Sequence, residues 1–147
     1  MVHLRQEFMS DPRQLTDMRA FVRDACRQAW GAEADAAAVA RLELALAEAT
    51  ANVMLHAYQR QPDRSIELVV EANEQQVCVT IYHCGQGFDP AQAPPPVFDG
   101  SKETGYGLYL IEQCVDEVTH LRDERGRCGI RLVKNRSEHP EEGEACS

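Results

Sequence analysis

The chain has 147 residues, a length that suits one domain in which roughly 68–70% of the unfolded surface becomes buried. Its 15 basic and 24 acidic residues give a formal net charge of −9, which argues against nucleic acid or an anionic membrane as the main partner. The first residues do not resemble a signal peptide, and no window approaches 18 uncharged apolar residues. A cytoplasmic protein without a membrane span is therefore expected.

The cysteines have neither a C-x-x-C motif nor a paired spacing. Without an export signal, they are predicted to be reduced and mostly buried. A zinc site built from His83, Cys84 and a more distant thiol is an open alternative. The six positions are Cys26, Cys78, Cys84, Cys114, Cys128 and Cys146.

The first half of the chain predicts a short strand and two helices. Residues 2–8 alternate apolar and polar side chains, which is typical of a strand. A helix capped by Ser10 follows and ends at Gly31. Asp35 caps a second, longer helix that reaches about Tyr58.

The second half predicts strands, a long Pro-rich loop, a third helix and a closing hairpin. Strands that follow one another directly favour a mixed, mostly antiparallel sheet with helices on one face, an α+β two-layer sandwich. Residues 1–136 are expected to form the single domain, with 137–147 as a polar tail. The predicted ranges are strands at 65–72, 77–82, 117–122 and 128–133, a loop at 89–104, and a helix from Gly105 to about Val115.

The second predicted helix carries polar residues in line. At about 100° per residue, Glu48, Asn52 and His56 lie between a main apolar stripe and a second stripe containing Leu44 and Leu55. A carboxylate and an amide in an apolar surround need a partner, since an unpaired buried amide costs about 1–3 kcal/mol. That partner is either another protein group or a ligand. The exposed edge of this helix is expected around Glu43, Thr50 and Met54.

Two Gly-x-Gly segments flank the long loop. Gly85 and Gly87 follow a strand, whereas Gly105 and Gly107 open a helix. Each pair alone is typical of a turn. A helix start with glycines is also able to bind phosphate through its free N–H groups and its dipole.

The order and spacing of these segments resemble the GHKL-type (Bergerat) ATP-binding domains of histidine kinases and gyrase. Within that group, the chain looks like the short bacterial anti-sigma factor serine/threonine kinases of the RsbW type. The resemblance covers roughly residues 10–135. It is carried by EATANVMLHAY, GQGFDP, GYGLYLIEQCVDEV and the closing RLVKNR.

The resemblance implies two roles on the second helix. Glu48 matches the general base that takes a proton from a substrate serine, and Asn52 matches the residue that binds the Mg²⁺ bridging the ATP phosphates. Both residue types suit this chemistry, because Mg²⁺ prefers oxygen ligands and phosphoryl transfer needs a group that orients the hydroxyl.

The resemblance assigns the remaining binding residues to the two glycine segments and the loop between them. Gly85 and Gly87 match the glycines beside adenine. Residues 89–104 match the ATP lid, from which Lys102 is a candidate phosphate contact. At the end of the lid the match includes Gly105, Gly107 and Leu108.

His83 departs from the family pattern. It stands where the family has an aspartate that accepts a hydrogen bond from the adenine amino group. A neutral imidazole has one acceptor nitrogen and cannot offer a second acceptor to water. Loss of a charge-assisted bond costs about 1.5–3 kcal/mol, or roughly 10- to 150-fold in affinity.

Three functions follow from the resemblance. The first is an anti-sigma factor kinase that uses ATP and Mg²⁺ to phosphorylate a STAS-domain anti-sigma factor antagonist and that sequesters a sigma factor. The second is a non-catalytic partner-switching module with weak or absent ATP binding because of His83. The third is a detached histidine kinase ATPase domain, which would need its acceptor histidine in trans. A homodimer through the first helix and Trp30 is a further hypothesis.

Overall fold

The computed structural model describes residues 1–32, 34–84 and 103–136, with residues 103–108 described by their backbone alone. It contains eight helices and strands within these residues, in the predicted order. A 3₁₀ turn precedes the first helix and a π-helical turn follows the second. The elements are β1 (Val2–Met9), α1 (Leu15–Trp30), α2 (Ala36–Asn52), β2 (Ser65–Ala72), β3 (Gln76–His83), α3 (Glu103–Cys114), β4 (Glu117–Arg122) and β5 (Cys128–Asn135).

The five described strands form one sheet in the order β1-β2-β3-β5-β4, and every neighbouring pair is antiparallel. Alternate residues of the strands face a core shared with the helices, as period-two patterning requires. On β3 these are Val77, Val79 and Ile81. The predicted α+β fold, with helices on one face of a mostly antiparallel sheet, is confirmed.

The first helix is not capped as predicted. The Asp11 carboxylate accepts the Arg13 N–H at 2.9 Å and caps the 3₁₀ turn, Pro12–Gln14. Ser10 is buried instead. It directly follows β1 and packs against the loop that precedes β2. Its hydroxyl donates to the Gln61 carbonyl at 2.5 Å.

Helix α2 begins as predicted but does not continue unchanged to Tyr58. Asp35 caps it by accepting the Ala37 N–H at 2.9 Å. After Asn52 the chain forms the π-helical turn Val53–Ala57. The Tyr58 N–H then donates to the Val53 carbonyl, five residues back, at 2.9 Å. The extra residue per turn gives Tyr58 the inward direction of Val53, and both side chains are buried.

The described thiols are mostly buried, as predicted, and none of them is paired with another. Four of them are buried and Cys84 is exposed. Burial, with a smaller contribution from the charge of Glu43, raises the pKa of Cys26 to about 12, so this thiol stays protonated at neutral pH. Among the described helices, none combines the length and the apolar character that crossing a membrane requires.

Candidate functional site

The candidate site includes a carboxylate and an amide on the last turns of α2. Glu48 and Asn52 are four residues apart, which places them on one side of the helix, and both are half-buried. Within the described part of the chain, neither side chain makes a hydrogen bond or an ion pair. No described residue therefore occupies their oxygen atoms, which are candidate contacts for a ligand or a partner.

The predicted exposed edge of α2 is wrong. Glu43, Thr50 and Met54 are all buried, because α1 packs along this side of the helix. The Glu43 carboxylate accepts two hydrogen bonds from the Arg23 guanidinium, at 2.9 and 3.0 Å, and a longer one from Arg19 at 3.3 Å.

Leu44 and Thr50 also differ from the helical-wheel expectation. Leu44 is 41% exposed, so the second apolar stripe is not closed around Glu48 as predicted. Thr50 is fully buried, and its hydroxyl has no hydrogen-bond partner among the described residues. His56 is exposed, because the π-helical turn ends the i, i+4, i+8 line after Asn52.

His83 is the last residue of β3 and faces the helices. It pairs with Ile66 on β2 and Cys128 on β5, and it is 1% exposed. Its ring and that of Tyr58 form a T-shaped pair, with centroids 6.0 Å apart and planes at 85°. Burial, and secondarily the charge of His120, lowers the pKa of His83 to about 4. The imidazole is thus neutral at pH 7 and has one donor and one acceptor nitrogen.

Tyr58 joins the end of the helical segment to two strands, a role that the sequence did not reveal. Its hydroxyl donates to the Ser65 carbonyl at 2.6 Å and accepts the Cys84 N–H at 2.7 Å. Burial raises the pKa of Tyr58, so the phenol remains a donor at neutral pH. The only signal was an aromatic residue beyond a helical pattern, and its direction depends on a π-helical turn that periodicity does not predict.

The other predicted binding residues belong to the two glycine segments and the loop between them. Gly85, Gly87 and Lys102 fall outside the described residues. The remaining three lie in the first half of α3, a helix that packs mainly against α2. Because α3 begins at Glu103, the predicted loop at 89–104 is two residues too long at its end. The three are Gly105, Gly107 and Leu108.

Two other features of the described residues bear on where a ligand binds. Among the described residues, no group of three or more His, Cys, Asp or Glu side chains is arranged to hold a metal ion, so the zinc alternative has no support there. An open cleft of about 560 Å³ lies between the start of β1, the end of α1 and the β2–β3 turn. It is at the opposite end of β3 from His83 and contains none of the predicted site residues.

Residues 8–134 match the family described as the histidine kinase-like ATPase domain. The chain belongs to this family. Membership implies ATP binding. Among the described residues, the oxygen atoms of Glu48 and Asn52 have no partner, which is compatible with a ligand there.

Two curated relatives and one solved structure are similar to the chain. The relatives are the anti-sigma F factors of Bacillus cytotoxicus, 29% identical over 97 residues, and of Clostridium beijerinckii, 29% identical over 96. Each alignment covers 63% of this chain and 66% of the relative, slightly under two thirds of its length. The crystal structure of the RsbU and RsbW domains of a Mycobacterium tuberculosis protein has a TM-score of 0.65 at 18% identity, over 95% of this chain and 34% of that one. At that identity it supports the fold.

Proposed function

We propose that the chain is a cytoplasmic anti-sigma regulatory factor with protein serine/threonine kinase activity. It binds a sigma factor and uses ATP with Mg²⁺ to phosphorylate a STAS-domain anti-sigma factor antagonist. The observation that carries this proposal is the pair Glu48 and Asn52, held one turn apart with oxygen atoms that no described residue engages. The names of the two curated relatives support the regulatory part of the proposal.

Each residue of the pair has a separate task in this reaction. The Asn52 amide oxygen is a hard, neutral ligand that would hold Mg²⁺, and the ion would neutralise phosphate charge. The Glu48 carboxylate accepts the proton of the substrate hydroxyl as that oxygen bonds to phosphorus and the bond to the departing ADP breaks. ATP supplies the phosphoryl group, and the chain supplies position and the proton acceptor.

A second function, a binding module without phosphotransfer, is favoured by His83. A buried neutral imidazole stands at the position matched to the adenine-reading aspartate. With only one acceptor nitrogen, it supports adenine less well than a carboxylate. In this second function the chain sequesters its partner by surface contact alone.

Calorimetric titration with an ATP analogue and Mg²⁺ distinguishes the two functions. The kinase proposal expects micromolar binding by the wild-type protein. It also expects His83→Asp to tighten binding about tenfold or more, because a carboxylate restores the second acceptor. Absence of detectable binding by the wild type, together with binding by His83→Asp, would contradict the kinase proposal and support the binding module. An unchanged affinity would show that residue 83 does not read the base.

A transfer assay with a purified STAS-domain protein tests the chemistry itself. The phosphorylated product should be stable in acid, as a phosphoserine is, and labile in alkali. An acid-labile, alkali-stable product would indicate phosphohistidine and support the detached histidine kinase domain instead. Gel filtration with a purified sigma factor tests the binding partner independently of nucleotide.

A further inference from the structure

The π-helical turn after α2 has a specific structural effect at the edge of the candidate site. In a continuous α-helix, residues 53 and 58 would lie about 140° apart around the axis at 100° per residue. The hydrogen bond from the Tyr58 N–H to the Val53 carbonyl, one residue longer than in an α-helix, reduces this rotation. Tyr58 therefore points into the core, where it is 4% exposed.

The Tyr58 hydroxyl connects the start of β2 to the end of β3, which lie at the same end of the sheet. It donates to the carbonyl of Ser65, the first residue of β2, at 2.6 Å. It accepts the N–H of Cys84, the residue just beyond β3, at 2.7 Å. Both bonds use backbone groups, so they fix the path of the main chain rather than the orientation of a side chain.

The position of Cys84 in the sequence links the Tyr58 hydrogen bonds to the predicted nucleotide site. Cys84 is followed at once by Gly85, the first glycine of the segment assigned to the base of the nucleotide. The same tyrosine ring meets His83 edge-on at 6.0 Å. The Tyr58 side chain thus contacts both His83 and Cys84, the two residues before Gly85. Tyr58 itself directly follows the π-helical turn that continues α2 after Asn52.

We propose that Tyr58 is a positioning residue for nucleotide binding. It sets the direction in which the backbone leaves β3 and fixes the ring of His83 from the side of α2. Tyr58 does not touch the reacting atoms, and it acts through Cys84 and His83. This inference rests on the proposed nucleotide binding and adds a coupling between the helical segment that carries Glu48 and Asn52 and the end of β3.

Tyr58→Phe tests the proposal, because it removes the hydroxyl and retains the ring. The matched control is Trp30→Phe, which removes another buried side-chain donor, the indole N–H that bonds the Asn73 carbonyl at 3.0 Å. That bond lies at the opposite end of β3. Two measurements are made on both variants and on the wild type: the Kd for an ATP analogue by calorimetry, and the exchange rate of the Cys84 amide hydrogen by NMR.

Tyr58→Phe should weaken nucleotide binding about tenfold, equivalent to about 1.4 kcal/mol. It should also speed exchange of the Cys84 amide by a similar factor, while Trp30→Phe changes neither quantity. Equal Kd values for Tyr58→Phe and the wild type would overturn the proposal. So would an equal loss of affinity in both variants, since that would indicate general destabilisation.

The same titrations separate this inference from the function on which it rests. Absence of binding by the wild type would contradict the proposed nucleotide binding and the positioning role together. Binding by the wild type with no effect of Tyr58→Phe would contradict the positioning role alone. Cys84 amide exchange is measured without nucleotide, and an unchanged rate in Tyr58→Phe would overturn the backbone-holding step directly.

Discussion

Glu43 and Glu48 lie five residues apart on α2 and have opposite surroundings. Glu43 is 6% exposed and is bound by Arg19 and Arg23 of α1, so its charge is satisfied within the protein. Glu48 is half-buried, and no described residue bonds it. A glutamate therefore joins two helices at position 43, whereas at position 48 a glutamate has no described partner and is a candidate for chemistry. The contrast shows that the partners of a carboxylate, rather than its residue type, distinguish a structural role from a candidate catalytic one.

Glu48→Gln should give the largest effect in this comparison. Loss of the proton acceptor is expected to reduce phosphotransfer by about 10²- to 10⁴-fold. The free energy of unfolding should change by less than about 0.5 kcal/mol, because no described contact is lost. The two measurements are initial transfer rates and urea denaturation. Wild-type transfer rates in Glu48→Gln would exclude this residue as the base.

His83 extends the comparison to a buried group with a depressed pKa. Its folded pKa of about 4 lies below the ordinary value of 6.5, so between these pH values His83 is protonated in the unfolded chain and neutral in the folded one. The stabilisation is complete above pH 6.5, is lost progressively between about pH 6.5 and 4, and is constant below. For this group the loss is up to about 3 kcal/mol. Denaturation of the wild type and His83→Gln across this range checks it, and parallel pH profiles would contradict it.

Glu43→Ala should affect stability and leave the candidate site intact. It removes the carboxylate that both arginines bind, and a loss of about 1–3 kcal/mol in the free energy of unfolding is expected. The cost stays below that of a fully buried pair because Arg19 and Arg23 are half-exposed and able to turn into solvent. Urea denaturation measures the loss, and the Kd for an ATP analogue should be unchanged. A change in Kd without a change in stability would reverse the roles assigned to the two glutamates.

Asp35→Ala, at the N-terminus of α2, should have the smallest effect. Loss of the cap that accepts the Ala37 N–H is expected to cost about 1 kcal/mol. The control is Asp24→Ala on α1, whose ion pair with Arg27 is long, at 3.9 Å, and exposed, and so contributes little. Thermal unfolding compares the two variants. Equal melting temperatures would show that the Asp35 cap contributes nothing measurable to α2.

The sequence predicted those features that depend on local patterns. Local patterns, such as the alternation at 2–8, located all five described strands to within two residues at each end. Asp35 and Gly31 marked helix ends, Asp35 through the hydrogen bond of the cap and Gly31 through a φ of 82°. It did not predict that Glu43 is buried, because that depends on two arginines placed by the packing of α1. The direction of Tyr58 was missed for a similar reason. A π-helical turn changes the residue period, and its formation depends on what the turn packs against.

The pairing of β1 with β2 determines the order in which the chain can assemble. Val2 lies opposite Ala72, and Met9 opposite Ser65, with α1 and α2 between them in the sequence. During synthesis β1 emerges before the other described elements, yet 55 residues separate its last residue, Met9, from Ser65, the first residue of its partner strand. The two helices close by local contacts in the meantime, whereas the sheet requires closure of a long loop. The N-terminal strand is therefore the part of the chain most exposed to wrong pairing before the domain is complete.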